Sequence, residues 1–323
     1  MNRKTKNILI VMLVLGVVCG VCCRAEAFWI WSSETGKWSN PKYDPEKGHP
    51  EEQLAFIEGL FNKGNYQESL VQAKRLLAYY PESKEAPEAQ YYMGRVYEKT
   101  SKLYVAYQAY QKVIDKYPYN ERFKEILQRE LDIGQKFLEG RKRKIWKVSV
   151  SFMVEDPAVE IFIKVVENAP YGEYAPVSQY KLGLAYKRIG LFEEARDAFQ
   201  DLIEKYPDSE WIDAANYQLA EVALGGSLPS DYDQQMTEEA VRKFEEFVKE
   251  HPDAKLSEKA REEIGDLRKR EAKKQYDTAR FYETRKEYTS ACIYYEYLIN
   301  EFPQTEWAEK GKKRLERIKD KCE

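Results

Sequence analysis

The chain has little of what catalytic and metal sites need. Among its 323 residues are only two histidines, His49 and His251, and neither has a zinc-ligand spacing or stands near a nucleophile motif. The glycine pair at 225–226 is not followed by the Lys and Ser or Thr of a phosphate-binding loop. The acidic residues at 231–233 lack the later glycine and glutamate of a calcium loop. These absences predict a protein that is not an enzyme and that has no cofactor, no catalytic residue and no metal site.

The chain has no net positive charge, and it has few cysteines. The formal net charge is −3, and it becomes about −6 without residues 1–27, which carry four basic residues and one acidic residue. Such a chain gives no electrostatic reason to expect a nucleic-acid partner. Three of the five cysteines lie in that first segment. The other two, Cys292 within a predicted helix and Cys322 in the tail, are interpreted as one buried thiol and one tail thiol, because they do not resemble a disulfide framework.

The one long apolar run lies at the N-terminus. Residues 1–27 combine a basic start, an apolar stretch over 8–18 and the small-x-small pattern that ends at Ala27, so we expect a signal peptide that is cleaved after Ala27. A retained membrane anchor is the alternative, although the apolar stretch is short for a bilayer span. No cysteine follows the Leu-small-small tripeptide of a lipoprotein signal. Lipidation therefore stays open and is not favoured at Cys19, Cys22 or Cys23.

A stretch of two short amphipathic helices, residues 175–207, sets the pattern for the remainder. Apolar and small residues recur there at helical spacing, Gly190 breaks the run, and Pro207 ends it. Gly183 and Ala195 are small enough for the two helices to approach closely. The pattern is that of a tetratricopeptide (TPR) repeat, whose period is about 34 residues.

Five further stretches repeat this pattern, and each ends in an apolar residue four positions before a proline or in a close variant of that spacing. The sequence therefore predicts an all-α, TPR-type helical-repeat solenoid over 50–321, after an aromatic-rich irregular segment at 28–49. The repeats are 51–81, 86–118, 122–170, 175–207, 211–252 and 257–303, and a capping helix follows at 304–321.

Three repeats depart from the plain form. The third carries an insert at 139–157 whose basic cluster, 141–144, is either a solvated connector or a contact with anionic lipid. The fifth carries a loop at 225–236, and the sixth starts early, so one helix is expected from about Ser257 to Thr284. The aromatic tip that holds Trp29 and Trp31 must cover itself with its own domain, a partner or the membrane interface.

A binding groove is the favoured functional feature. In a TPR stack the first helix of each pair lines the concave face, and tyrosine beside a cation suits an extended peptide. The alternative is that these tyrosines only fill seams between repeats. The candidates by helix position are Tyr91, Arg95, Tyr180, Lys187, Arg188, Tyr276 and Arg280.

The second half of the chain resembles the BamD family, the TPR lipoproteins of the outer-membrane β-barrel assembly machinery. The resemblance rests on the motif APYGEY before a repeat, a loop-interrupted repeat, the motif YPDS and the run KKQYDTARFYETRKEY, and it is best over 160–316. It implies a periplasmic scaffold at the inner face of the outer membrane, with unfolded outer-membrane proteins and a β-barrel assembly subunit as partners. It also implies that Arg270 and Tyr276 lie near the partner surface.

Two features depart from that family. Its members are anchored through a lipidated N-terminal cysteine and usually have five repeats, whereas this sequence lacks the lipidation motif and has six. The function predicted is a non-enzymatic periplasmic scaffold in β-barrel protein assembly and insertion. A general envelope adaptor for cell-wall or division machinery is the alternative, and a carbohydrate- or wall-binding module is a third reading.

Overall fold

The computed structural model describes residues 30–32, 37–39, 44–140, 156–225 and 234–322. Several predictions fall outside these ranges: the signal peptide with its cleavage at Ala27, the three N-terminal cysteines, the position of Trp29, and the central parts of the insert and of the loop in the fifth repeat. They stay predictions.

Thirteen α-helices dominate the described residues. Two short strands precede them, β1 (Ile30–Ser32) and β2 (Lys37–Ser39), and one 3₁₀ turn, Lys319–Lys321, follows them. The helices are α1 (Pro50–Asn62), α2 (Tyr66–Tyr79), α3 (Ala86–Lys99), α4 (Leu103–Lys116), α5 (Phe123–Leu138), α6 (Pro157–Asn168), α7 (Ala175–Arg188), α8 (Phe192–Lys205), α9 (Ile212–Gly225), α10 (Gln234–Glu250), α11 (Lys255–Thr284), α12 (Tyr288–Glu301) and α13 (Glu306–Ile318).

The predicted fold class is confirmed: the described chain is an all-α protein of TPR-type helical repeats. The described residues form two compact units, which divide between Phe123 and Lys124. The first contains the hairpins α1–α2 and α3–α4. The second contains most of α5 and all helices from α6 to α13. No helix among the described residues is long and apolar enough to cross a bilayer.

In three helix pairs a glycine on the first helix lies against an aromatic ring on the second. Gly183 lies on α7 against Phe199 of α8, and Gly134 lies on α5 against Phe162 of α6. A Cβ atom at Gly183 would stand only 2.5 Å from Cε1 of Phe199. Because no real side-chain atom approaches that closely, the backbones can pack at this distance only with glycine.

The same glutamine hydrogen bond occurs in two helix pairs. The Gln90 Nε2 donates to the carbonyl of Ala109, 3.0 Å away, and the Gln179 Nε2 donates to the carbonyl of Ala198 over the same distance. In each case 19 residues separate donor and acceptor. The buried amide satisfies its own polar group and ties the first helix of a pair to the second.

The tyrosine before the repeat-ending proline has a defined partner. The Tyr117 hydroxyl donates to the carbonyl of Pro81 at 3.2 Å, and the Tyr206 hydroxyl donates to the carbonyl of Pro170 at 2.9 Å. Both acceptors lie 36 residues upstream. The Tyr-Pro ending therefore links successive repeats, which gives part of the high tyrosine content a structural role.

The long helix was anticipated from the early start of the sixth repeat. Residues Lys255–Thr284 form one continuous helix of 30 residues. Its first half packs on α10 through Ala260, Ile264 and Leu267. Its second half packs on α12 through Ala272, Tyr276 and Ala279. One helix therefore belongs to two successive layers of the C-terminal unit.

The segment predicted as irregular at 28–49 contains a strand pair, so that prediction is wrong in part. The strands β1 and β2 are antiparallel, with Trp31 opposite Trp38. Isoleucine and tryptophan favour extended backbone. These two strands were not predicted from the sequence.

The interpretation of the two late cysteines is also wrong. Cys292 of α12 and Cys322, just after the 3₁₀ turn, form a disulfide with a Cα–Cα distance of 5.9 Å. The helices α12 and α13 run back along each other, and the turn at Lys319–Lys321 brings the tail beside α12. The sequence places Cys322 in the tail, and no local signal indicates that the tail returns to α12.

Candidate protein-binding surfaces

Tyr91 lies inside the N-terminal unit and is 1% exposed. Its ring contacts Tyr110, and the Arg122 guanidinium lies over it, 4.5 Å from the centroid. The Arg95 Nη1 donates to its hydroxyl at 2.9 Å, and the same guanidinium covers the ring of Phe61. Tyr91 therefore fills the seam between helices, and Arg95 is held by aromatic rings on the half-buried edge of that seam.

Tyr180 and Lys187 are both engaged by neighbouring residues of the C-terminal unit. The Tyr180 ring stacks on Trp211, with centroids 4.9 Å apart, and burial raises the pKa of its hydroxyl. The Lys187 Nζ donates to Gln218 at 2.8 Å and pairs with the Glu221 carboxylate at 2.5 Å. Burial opposes ionisation of Glu221, but Lys187 and a hydrogen bond from Tyr217 together lower its pKa.

Arg188, at the C-terminus of α7, contacts both helices of the third repeat. Its Nη1 donates to the carbonyls of Phe137 and Leu138, at 2.6 and 3.0 Å, and its Nη2 pairs with Asp156. Those carbonyls stand at the C-terminus of α5, where helical partners run out. Asp156 is the N-cap of α6 and accepts from the Ala158 amide. The guanidinium therefore caps one helix and steadies the start of the next.

Tyr276 is 8% exposed and belongs to the core of the last layers. Its ring contacts Trp307, with centroids 5.3 Å apart, and its hydroxyl accepts from the Arg314 Nε at 3.0 Å. The Arg314 Nη1 also donates to Glu283. Arg280, one turn further along α11, is half-buried, and its Nε has no hydrogen-bond partner among the described residues.

Arg270 stands in a different environment, on an open groove along the second half of α11. The groove has a volume of about 600 Å³ and is lined by Arg270, Lys273, Lys274, Asp277, Thr278, Phe281 and Tyr282. Phe281 is 52% exposed. Three cations and an exposed ring therefore share one helix face. Sequence reasoning missed Lys273, Lys274 and Phe281, although they follow Arg270 at the spacing of a single helix face.

Glu271 is a partly buried carboxyl group of α11 whose burial is only partly compensated. Its Oε1 is buried and has no hydrogen-bond partner among the described residues. Burial raises its pKa and the Glu238 carboxylate adds to the rise, while Arg268 and Lys274 partly offset it. Tyr297 of α12 faces the same two carboxylates, and burial together with these charges raises its pKa as well.

We expect Glu271→Gln to stabilise the protein at neutral pH. Because the pKa is raised in the folded state, the folded form binds the proton more tightly, and stability falls as pH rises through the window above the ordinary glutamate value. The amide removes this cost, so the melting temperature should rise at pH 7.5 and the gain should shrink as the pH approaches 4. The matched control is Glu262→Gln at an exposed site of the same helix. A Glu271→Gln variant that melts no higher than wild type at pH 7.5 would contradict the assignment.

No metal site emerges from these side chains: the described residues contain no group of three or more His, Cys, Asp or Glu arranged to hold an ion. What they present is a set of ion pairs, stacked rings and one open cationic groove. Such surfaces are suited to binding other macromolecules.

A family comparison covers the part of the chain that contains these surfaces. The model of the outer membrane lipoprotein family YfiO matches residues 155–321, just over half of the chain. The chain belongs to the YfiO family. The match spans every helix from α6 to α13, and therefore the α11 groove and the network around Tyr276. Of the disulfide it includes Cys292 and ends one residue before Cys322. It also agrees with the stretch, 160–316, over which the sequence most resembles BamD. The YfiO region is preceded by a second match, to a tetratricopeptide repeat model over 54–121.

Solved structures similar to this YfiO chain are TPR proteins of low sequence identity. MamA from Desulfovibrio magneticus RS-1 is 16% identical and covers 65% of this chain and 98% of its own, with a TM-score of 0.35. The C-terminal part of a TPR repeat-containing protein from Cytophaga hutchinsonii is 15% identical over 82% of this chain and 88% of its own, with a TM-score of 0.38. PilF of Pseudomonas aeruginosa is 14% identical over 82% and 97%, with a TM-score of 0.29. A search of curated proteins finds no match.

Proposed function

We propose that this chain is a BamD-like, non-enzymatic scaffold that binds protein partners during assembly and insertion of β-barrel proteins at the periplasmic face of the outer membrane. The observation that carries the proposal is the YfiO match over 155–321. Helical repeats present extended surfaces and bind partners without chemistry of their own, in keeping with the contacts described above.

The disulfide supports the proposed location. Disulfides persist in oxidising compartments such as the bacterial periplasm and are rare in the cytosol. Cys292 and Cys322 are joined in the structure. A disulfide that attaches the C-terminal tail to α12 is consistent with an exported protein. Together with the predicted signal peptide, it supports a location in the envelope.

Within this proposal the candidate residues divide by their surroundings. Arg270 and Lys187 supply charge at accessible or half-buried edges, and we assign to them direct contact with partners. Tyr91, Tyr276 and Arg188 hold helices together and act as positioning residues for the surfaces beside them. Arg95, Tyr180 and Arg280 are half-buried, and we assign them to neither group.

The test is crosslinking of the full chain in native envelopes, followed by identification of the crosslinked proteins. The proposal expects a β-barrel subunit that carries periplasmic domains, together with unfolded outer-membrane proteins. The second candidate is an envelope adaptor for cell-wall or division machinery, which the missing lipidation motif favours. Recovery of cell-wall or division proteins without any barrel subunit would replace the first function with the second.

A further inference from the structure

The α11 groove is a feature of one helix face. Its lining residues all lie between Arg270 and Tyr282. The buried residues of the same helix half, Ala272, Tyr276 and Ala279, pack toward α12. The groove residues fall between them in sequence and therefore point to the opposite side of the helix. This side of α11 is open, while the other side is fixed in the core.

The charged and the apolar side chains occupy different ends of the groove. Arg270, Lys273 and Lys274 stand at one end, and the exposed ring of Phe281 stands at the other. Asp277 lies between them, 3.8 Å from Lys273. The lining therefore carries three positive charges and one negative charge. Eleven residues separate Arg270 from Phe281, which corresponds to about 16 Å along a helix.

We propose that the α11 groove binds an extended acidic segment of a protein partner, with its carboxylates over Arg270, Lys273 and Lys274 and an apolar side chain against Phe281. A length of about 16 Å matches about five residues of extended chain at roughly 3.3 Å per residue. The segment therefore carries its acidic residues about five positions from its apolar anchor. This inference rests on the proposed function only in taking the occupant to be a protein.

Charge complementarity selects this occupant. Arginine and lysine that bind carboxylates near an apolar surface gain from charge-assisted hydrogen bonds and from partial desolvation. A nucleic acid would need a longer basic track than three side chains, and the chain as a whole is acidic. Asp277 is the one lining residue that opposes an acidic ligand, so it supplies a substitution of opposite sign.

The probe is a fluorescein-labelled peptide, Asp-Glu-Asp-Gly-Ser-Gly-Phe, titrated with the full chain and followed by fluorescence anisotropy. We expect saturable binding that weakens with salt. The double variant Arg270→Glu/Lys273→Glu should weaken binding at least tenfold, Phe281→Ala should weaken it several-fold, and Asp277→Asn should tighten it. The control Arg261→Glu reverses one charge at an exposed position of the same helix, outside the groove, and should leave binding unchanged.

A charge swap guards against loss through misfolding. A peptide with Lys in place of each acidic residue should bind the double variant more tightly than it binds wild type. The proposal is overturned if wild type binds no acidic peptide, if Arg261→Glu weakens binding as much as the double variant, or if anionic phosphatidylglycerol vesicles bind the groove while the peptide does not. Envelope crosslinking separates the two claims: a barrel subunit captured equally by wild type and the double variant leaves the proposed function standing and removes this one.

Discussion

Replacing Gly183 by Leu is expected to destabilise the C-terminal unit by 3 kcal/mol or more, at the upper end of the ~1–3 kcal/mol typical of overpacked cores. Gly183 faces the buried ring of Phe199, and even one methyl carbon at this position would stand 2.5 Å from it. The ring cannot withdraw easily, because it is 0% exposed and belongs to a packed cluster with Ala195 and Leu202. Thermal unfolding followed by circular dichroism measures the loss.

Two further variants make this result specific. Gly265→Ala changes a glycine in the middle of α11, where a Cβ atom meets nothing within 4 Å, so it should be neutral or stabilise by up to about 1 kcal/mol. Gly183→Leu combined with Phe199→Ala should recover part of the lost stability, because the ring that clashes has gone. A Gly183→Leu protein that melts like wild type would show that α7 and α8 do not meet at these residues.

The repeats were predictable because the residues that pack a helix pair together lie within one repeat, at regular helical spacing. Gly183 and Phe199, or Gly134 and Phe162, are a small residue and a ring at the contact of paired helices, and the apolar spacing alone reveals such pairs. The proline that ends a repeat is equally local, since proline cannot continue a helix. Local signals of this kind can be recognised in a single sequence.

The surfaces were harder to predict, because they depend on what lies beside each helix. Helical position alone does not tell that Tyr91 and Tyr276 are sealed by neighbouring rings, or that Arg188 reaches the end of α5, about 50 residues upstream. Of the residues that line the α11 groove, only Arg270 was predicted as a binding residue, and that prediction came from the family resemblance. Its companion Phe281 was missed, since an exposed ring on an amphipathic helix resembles a core residue until the packing is known.

The disulfide was missed for a related reason: its two cysteines are 30 residues apart, and only the return of the chain through α13 brings them together. We expect Cys322→Ser to destabilise the last layers of the C-terminal unit by about 3–4 kcal/mol. The estimate is the loop-closure entropy that a bridge of this length removes from the unfolded chain. The end of α13 should loosen first, because the disulfide attaches the tail to α12. Hydrogen exchange and thermal unfolding of the oxidised protein measure both effects.

Chemical reduction is the decisive comparison for this bridge. A reductant should lower the melting temperature of the wild-type protein to that of the Cys322→Ser variant and should leave the variant itself unchanged. Cys292→Ser should show the same loss, apart from a small cost for replacing a buried thiol, because either substitution opens the same loop. If reduction leaves wild type unaltered, or if unreduced peptide mapping finds Cys292 and Cys322 unlinked, then the tail is held by packing alone. The compartment argument would then lose its support, since it depends on this bridge being formed in the cell.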